Sequence, residues 1–484
     1  MFKYLSGFLF ILPFISCSKD VPIVDITGSS YPENVGKLLL TKCAVPGCHN
    51  NISKDAAAGL SLQTWNKMFE GTKNGPVVIP YRPDFSTLCF YVNTFPQFGP
   101  SLKPTMPINA PALTQSEYII LRDWIAKGAA DSKGFIKFSD NPHRKKFYVS
   151  NRLCDVVTVL DQKTLSPMRY IDVGKTAVPE FPDMIKVSPD GQYWYVSFSG
   201  SSVIQKFRTS DDAYIGEIYL SWGSWQTFVI TPDSKNAFCA DYNSPGKIAY
   251  LDLQNMTVLA EYANGGNFKY PHGLAINQSS TVLYAGAQYG NYIYKIDITN
   301  PYSPVIQEKT IDGTGIPIYN FMLDPYELSL SPDENKYYVT CQNSNEIRVV
   351  QTSNDSLISV IAAEYYPQQM CFAESFNYLF VSCPEDSTSF PGLRSSILVI
   401  NYTTNTLIKK IYAGFQSYGL SVDDDSKIVC VSNMNIRSDG VAPHHTTNCG
   451  GRNGYVTFID MNSLTLLPKK VELANLPYSV AVRK

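Results

Sequence analysis

Two cysteines followed directly by a histidine stand near the start of the chain, in the string from Cys43 to His49. Thiols in this arrangement can add covalently to the two vinyl groups of a haem, and the adjacent imidazole can then bind the iron as its proximal ligand. Cys43 and Cys48 are further apart than in the commoner C-x-x-C-H pattern, and Pro46 and Gly47 supply turn geometry for the longer loop. The string therefore predicts one covalent haem c, with thioether bonds at Cys43 and Cys48 and His49 as an axial ligand.

A zinc ion is the alternative occupant of this cluster, because zinc also binds cysteine and histidine side chains. A zinc site would need a fourth ligand at finger-like spacing. The next cysteine is Cys89 and the next histidine is His143, so the spacing favours haem.

The surrounding segments predict two helices and, between them, a loop that presents a methionine. Asn34 to Lys42 has apolar residues on one side and leads into the first thiol, and a second helix begins after Thr114, which with Glu117 forms a capping box. The loop from Lys103 to Pro107 is bracketed by prolines and cannot become helical, so it is suited to offer the Met106 thioether to the iron. Two alternatives remain: Met106 fills a gap in the core, or Met68 is the ligand.

The order of these motifs resembles the compact cytochrome c domains of planctomycete and Bacteroidetes-type envelope proteins. The resemblance covers residues 32–130 and rests on the cysteine–histidine string and the motifs Gly59-Leu60-Ser61-Leu62, Ile79-Pro80, Met106-Pro107 and Trp124 to Ala129. It implies that His49 and Met106 are the two axial ligands of the haem iron.

The first residues resemble a bacterial lipoprotein signal. Lys3 is followed by an apolar run from Tyr4 to Ile15 that is too short to span a bilayer, and the run ends in the lipobox-like Phe14-Ile15-Ser16-Cys17. The resemblance implies a signal peptide over residues 1–17 with a lipidated Cys17, then a linker over 18–31. The expected location is the bacterial outer membrane or cell surface, on its periplasmic or extracellular side, with membrane attachment through lipid alone.

Composition points to more than one globular unit. The chain has 484 residues and a formal net charge of −2, so it has no bulk positive charge for nucleic acid, and no such partner is expected. The 32 tyrosines and 25 phenylalanines suit many short, half-buried strands. Beyond the cysteines assigned to lipid and haem, the others are expected to be buried thiols, because a chain of this size does not need a disulfide framework.

From about residue 144 the chain repeats a pattern of short strands. Seven copies of a first-strand motif begin at Pro182, Trp225, Pro271, Pro325, Pro367, Ser417 and Pro477. Second and third strands follow most copies, and turns such as Pro189-Asp190-Gly191 close the first hairpins. A period of roughly forty to sixty residues with several strands per repeat is typical of a β-propeller.

The phase of the repeats predicts how the ring closes. The first copy begins with its second strand at Phe147, and the last copy stops after a lone first strand from Pro477 to Val482. The C-terminal strand should therefore complete the blade that the N-terminal strand begins. The predicted fold is multidomain: a small all-α cytochrome c domain, a linker over 131–143, and an all-β seven-bladed propeller over 144–484. The repeats, including Tyr148-Val149-Ser150-Asn151, resemble the YVTN-type propeller family, which does not fix an activity.

Three of the five histidines are predicted near one face of the propeller. First-strand starts, which include His272, and the loops between second and third strands share that face. The longest such loop, Met434 to Gly454, carries His444 and His445, so a metal or haem-like ligand could bind there, with Asp439 as a further oxygen donor. The alternative is a polar surface loop without a ligand. The linker should leave from the opposite face, which would separate the haem from these histidines by the thickness of the propeller. The alternative is that the domain swings round the propeller edge on the short linker from Asp131 to Arg144.

Taken together, the sequence predicts an electron-transfer lipoprotein of the cell envelope, with the propeller as a docking or ligand-binding surface. The partner would be a redox protein or a small-molecule electron donor or acceptor. One alternative is a two-centre redox enzyme with a second metal or haem at the propeller mouth, in the manner of nitrite reductases that join a cytochrome c domain to a propeller. Another is a structural or adhesive surface propeller.

Overall fold

Seven four-stranded antiparallel sheets make up the chain from Lys146 onward, in a computed structural model that describes residues 25–73, 75–445, 447 and 449–484. The sheets are the blades of a seven-bladed β-propeller, as the repeats predicted. The predicted signal peptide and Cys17 lie outside the described residues. Numbered in chain order, the strands are β1 Lys146–Asn151, β2 Val156–Asp161, β3 Ser166–Asp172, β4 Pro182–Val187, β5 Tyr193–Phe198, β6 Val203–Arg208, β7 Tyr214–Tyr219, β8 Trp225–Ile230, β9 Asn236–Asp241, β10 Lys247–Asp252, β11 Thr257–Tyr262, β12 Pro271–Ile276, β13 Val282–Ala287, β14 Tyr292–Asp297, β15 Val305–Thr310, β16 Pro325–Leu330, β17 Lys336–Cys341, β18 Glu346–Gln351, β19 Leu357–Ala362, β20 Met370–Ala373, β21 Tyr378–Cys383, β22 Ser396–Asn401, β23 Thr406–Ile411, β24 Ser417–Asp423, β25 Ile428–Asn433, β26 Asn453–Asp460, β27 Thr465–Asn475 and β28 Pro477–Arg483.

The ring closes through the two ends of the propeller sequence. Strand β28 pairs antiparallel with β1, with Phe147 opposite Val482 and Tyr148 opposite Ala481, and the first blade has the order β28-β1-β2-β3. The other six blades are each built from four consecutive strands. The closure predicted from the phase of the repeats is confirmed, and it removes two strand edges that would otherwise be exposed.

The first hairpins of three blades turn on the aspartates predicted there. Each aspartate accepts a hydrogen bond of 2.6 Å from the hydroxyl two residues before it: Ser188 to Asp190, Thr231 to Asp233 and Ser331 to Asp333. Such local bonds fix the turn between the first and second strands of a blade. Between blades, aromatic side chains fill the core, for example Tyr148 of the first blade and Trp194 of the second, whose ring centroids lie 5.3 Å apart.

An N-terminal helical region precedes the propeller and has a hydrophobic core of its own. Its helices are α1 Glu33–Lys42, α2 Trp65–Glu70, α3 Thr87–Val92 and α4 Gln115–Ala126. The predicted capping box is present at the start of α4, where Thr114 and Glu117 bond each other's backbone N–H groups. Among the described residues no helix is long and apolar enough to cross a membrane.

The helical region packs against the outer side of the propeller, beside the first and seventh blades. Ile79 and Phe85 join a small core with Tyr170 of β3 and Ala474 of β27, and the Phe85 and Tyr170 rings stack with centroids 4.2 Å apart. The Arg82 guanidinium donates to the Tyr170 carbonyl at 3.0 Å and pairs with Asp172. These contacts hold the loop between α2 and α3 against two blades.

A disulfide joins Cys154, between β1 and β2, to Cys449 in the long loop between β25 and β26. The expectation that the remaining cysteines are all buried thiols is wrong for this pair. The two residues are 295 positions apart in sequence and meet only because the ring brings the first and seventh blades together. The bond anchors the long loop to the first blade.

Replacing both cysteines should destabilise the protein. We expect the Cys154→Ser/Cys449→Ser double variant to lose about 2–5 kcal/mol of unfolding free energy, since a disulfide restricts the unfolded chain. Urea unfolding without reductant measures the loss. Reductant should lower the stability of the wild type by a similar amount and leave the variant unchanged, and equal stability of variant and wild type would show that the bond contributes nothing.

A candidate cofactor cavity between the helices and the propeller

A cavity of about 590 Å³ lies between the helical region and the propeller. Its volume falls within the ~300–1,000 Å³ typical of small-molecule and cofactor sites. Cys43, Cys48, His49 and Met106, the four residues selected from sequence, all line it. Much of the remaining helical-region wall is apolar, with contributions from Leu60, Leu62, Val77, Ile79, Leu88 and Val92.

Backbone hydrogen bonds hold the cysteine–histidine string in a closed loop at the end of α1. The Cys43 N–H donates to the Leu39 carbonyl at 3.0 Å, and the His49 N–H donates back to the Cys43 carbonyl at 3.0 Å. Gly47 has φ +81°, a conformation that suits glycine, so the four intervening residues form the predicted loop. The His49 carbonyl accepts from the Leu62 N–H at 2.8 Å, which ties the string to the next segment.

Both thiols of the string are free and reach the cavity. Cys43 is buried and Cys48 is half-buried. Burial raises the pKa of the Cys43 thiol to about 12, with a smaller contribution from Cys48, so Cys43 is a neutral thiol at ordinary pH. Two reduced thiols facing one cavity are the donor set that thioether attachment requires.

The His49 side chain has the properties of a metal ligand. Its Nδ1 is buried and has no hydrogen-bond partner among the described residues. Burial lowers the pKa of the imidazole, and a backbone interaction with Leu60 opposes this effect in part. A neutral imidazole ring in a largely apolar pocket has a lone pair that can bind a metal ion.

Met106 reaches the cavity from the proline-bracketed loop, as expected. Its backbone N–H donates to the Tyr91 carbonyl at 2.8 Å, and the Leu102 N–H donates to the Phe90 carbonyl at 3.0 Å, so both ends of the loop are fixed to α3. Met68 lies fully buried in the helical core and is not among the residues that line the cavity. Of the two methionines, Met106 is therefore the one placed to bind a group in the cavity.

The propeller supplies the other side of the cavity. Tyr170 of β3, Glu472 of β27, and His444 and His445 of the long loop line it. The cysteine–histidine string is not separated from His444 and His445 by the thickness of the propeller, so the expected separation is wrong and the alternative path round the propeller edge is the one observed. The linker does enter where β28 ends, since Arg483 donates to the Pro142 carbonyl at 2.7 Å, but the helical region then wraps around the propeller edge and reaches the loop.

The third predicted rim histidine, His272, lies elsewhere. Its Nδ1 is 2.8 Å from the Tyr326 carbonyl oxygen, its ring packs on the Tyr326 ring, and burial lowers its pKa to about 4. The structure thus does not bring His272 together with His444 and His445, and Asp439 is an exposed partner of Arg437. Among the described residues there is no cluster of three or more histidine, cysteine or acidic side chains that could hold a metal ion.

Tyrosines close the channel mouth of the propeller. A void of about 10 Å³ is surrounded by the second residues of five first strands, Asp183, His272, Tyr326, Tyr418 and Tyr478. The Tyr326 and Tyr418 hydroxyls are 2.5 Å apart, and the Tyr418 and Tyr478 rings stack at 4.0 Å. A void of this size holds about one water molecule, so the mouth as described has no room for a second haem.

Sequence reasoning missed Tyr91, Tyr170 and Glu472. Glu472 follows Val471 in an outer strand where charged and apolar residues alternate, a common surface pattern. Only the packing of the helical region against that strand makes it part of a cavity wall.

The fold places the chain in the class of seven-bladed β-propeller proteins. No family model matches the sequence, and no curated protein matches it. A protein of unknown function from Desulfotomaculum acetoxidans DSM 771 has a similar structure, with 13% identity and a TM-score of 0.53 over 70% of this chain and 98% of that chain. A candidate 6-phosphogluconolactonase from Bacteroides fragilis NCTC 9343 has 12% identity and a TM-score of 0.52 over 72% of this chain and 99% of that chain. Hydrazine synthase from Kuenenia stuttgartiensis, with 16% identity over 64% of this chain and 91% of that chain, has a TM-score of 0.48, too low to argue from. Identities this low show a shared fold and nothing about activity.

Proposed function

We propose that this protein is a c-type cytochrome of the cell envelope that transfers electrons through one covalent haem. The observation that carries the proposal is that one cavity collects Cys43, Cys48, His49 and Met106, which come from two separate segments of the chain. Their chemistry fits the group: two free thiols, an imidazole with an unpartnered buried nitrogen, and a thioether. The cysteine–histidine string and the motifs that follow it in the sequence resemble a cytochrome c domain over residues 32–130.

In this proposal Cys43 and Cys48 would hold the haem by thioether bonds, and His49 and Met106 would bind its iron. Bound haem supplies one-electron chemistry. The apolar residues of the wall exclude water, and exclusion of water is one of the means by which a protein sets a haem potential. Expression together with the cytochrome c maturation machinery, followed by a visible spectrum, tests the proposal.

The second candidate is a redox enzyme. A large distance between the haem and His444 and His445 would have spoken against this alternative. Both histidines instead lie in the wall of the cavity that the cysteine–histidine string lines. The enzyme would use this cavity and its propeller-side residues, because tyrosines among the described residues fill the channel mouth. A structural or adhesive propeller would gain support if the protein purified without haem after expression with the maturation machinery.

Replacement of Met106 tests the second axial ligand. A thioether ligand raises the haem potential relative to two imidazoles, so Met106→Ala should lower the midpoint potential and remove the weak long-wavelength band of iron–sulfur ligation. Spectroelectrochemical titration measures both. Met68→Leu, which changes a buried methionine outside the cavity wall, is the matched control and should keep the band. An unchanged band and potential in Met106→Ala would exclude Met106 as the ligand.

Cys17 is proposed as a lipid anchor that attaches the protein to the outer membrane or cell surface. Cys17→Ala should give an unprocessed precursor or a soluble product, since the acyl chains would be absent. Membrane fractionation and mass spectrometry of the mature N-terminus measure the change. A wild-type mature N-terminus at any residue other than Cys17 would remove the anchor.

A further inference from the structure

His445, on the propeller side of the cavity, is held in one orientation by a carboxylate. Its Nδ1 lies 3.2 Å from Oε1 of Glu472, a side chain that is only 9% exposed. Glu472 is fixed in turn by the His444 backbone N–H at 2.8 Å and by Asn453 Nδ2 at 2.8 Å. Asn453 Nδ2 also donates to the His445 carbonyl at 2.7 Å, so the backbone of this histidine is anchored as well.

This arrangement leaves the other ring nitrogen free. A carboxylate this close to Nδ1 favours the tautomer that carries the ring proton on Nδ1, which leaves a lone pair on Nε2. Among the described residues no hydrogen-bond partner occupies His445 Nε2. Burial lowers the pKa of the His445 ring and so favours its neutral form. The charge of Glu472 raises the pKa and opposes this effect in part.

A neutral imidazole of this kind is suited to bind a metal ion. A histidine that binds a metal almost always donates a hydrogen bond from its other ring N–H to a carboxylate or a carbonyl. This bond fixes the ring and makes the ligating nitrogen more basic. The same lone pair accepts hydrogen bonds and does not donate them, so Nε2 is poorly suited to hold a haem carboxylate. Its chemistry therefore points to the iron.

Resting on the function proposed above, we propose that His445 would bind the haem iron as an alternative to Met106. Met106 of the helical region, through sulfur, and His445 of the propeller, through nitrogen, would then be alternative ligands of the same iron. Exchange of sulfur for nitrogen lowers the potential, so the choice between Met106 and His445 as ligand would set the potential at which electrons are transferred.

The test uses the ferric full-length protein with haem attached and compares spin states by electron paramagnetic resonance. Met106→Ala should remain low-spin, because His445 replaces the thioether. The Met106→Ala/His445→Gln double variant should lose the low-spin signal and become high-spin. The matched control, Met106→Ala/His444→Gln, changes the adjacent exposed histidine and should remain low-spin. Glu472→Gln in the Met106→Ala background keeps the side-chain shape and should give a mixture of spin states.

Each outcome decides between the claims. High-spin iron in Met106→Ala alone, or low-spin iron that persists in the His445→Gln double variant, would overturn the inference while leaving a haem protein. A wild type without covalent haem would overturn the proposed function and this inference together. Circular dichroism of each variant checks that the fold is retained. If the His445→Gln double variant does not fold, a mixture of spin states in the Glu472→Gln variant supports the inference, and an unchanged low-spin signal contradicts it.

Discussion

The Cys43→Ser/Cys48→Ser double variant should carry no covalent haem, whereas the wild type should carry about one haem per chain. Serine hydroxyls do not add to vinyl groups as thiols do, so both thioether bonds are lost at once. A denaturing gel stained for haem, run after extraction with acid acetone, measures the difference. Each single variant should keep one bond and give a weaker band.

Cys371→Ser is the matched control for this experiment. Cys371 is a free, half-buried thiol in β20 of the sixth blade, and it does not line the cavity. Its replacement should leave the haem band intact. Equal haem content in wild type and double variant would show that the two thiols do not hold the group.

Truncation after Leu476 should prevent the propeller from folding. Strand β28 supplies the innermost strand of the first blade and the Tyr478 ring in the channel, and it buries Val480 and Ala481. Its Arg483 guanidinium donates to the carbonyls of Pro142 and Thr209. The loss should equal or exceed the ~5–15 kcal/mol that stabilises a typical domain, and the bare edge of β1 would favour aggregation.

Deletion of Lys484 alone is the control, because this exposed residue lies beyond the end of β28. It should leave the midpoint of thermal unfolding close to that of the wild type. The truncated chain should appear in the insoluble fraction or lack a cooperative transition. A soluble, cooperatively unfolding truncation would mean that the ring does not depend on this closure.

Features set by local sequence were predictable. The blades follow from a repeated order of short strands and turn residues, and the closure follows from the phase of the first and last copies. The α4 capping box follows from Thr114 and Glu117, whose bonds span only one turn. The residues of the cysteine–histidine string were selected by type and spacing, which do not require knowledge of the packing.

Features set by packing between distant segments were not predictable. The Cys154–Cys449 bond joins residues that become neighbours only when the ring closes. The Glu472–His445 pair faces the cavity because the helical region folds around the edge of the propeller, a direction that the linker sequence does not encode locally. For the same reason the separation expected between the cysteine–histidine string and His444 was wrong, although the alternative path round the propeller edge and the point where the linker enters were correct.

Mass spectrometry of the intact protein and of its tryptic peptides tests the proposed function most directly. The protein should be expressed as the full chain together with the cytochrome c maturation machinery. We expect the mass of one haem to be retained after denaturation and to be located on the peptide that contains Cys43, Cys48 and His49. A denatured wild-type chain with both cysteines unmodified, or with zinc in the native protein and no haem, would contradict the proposal.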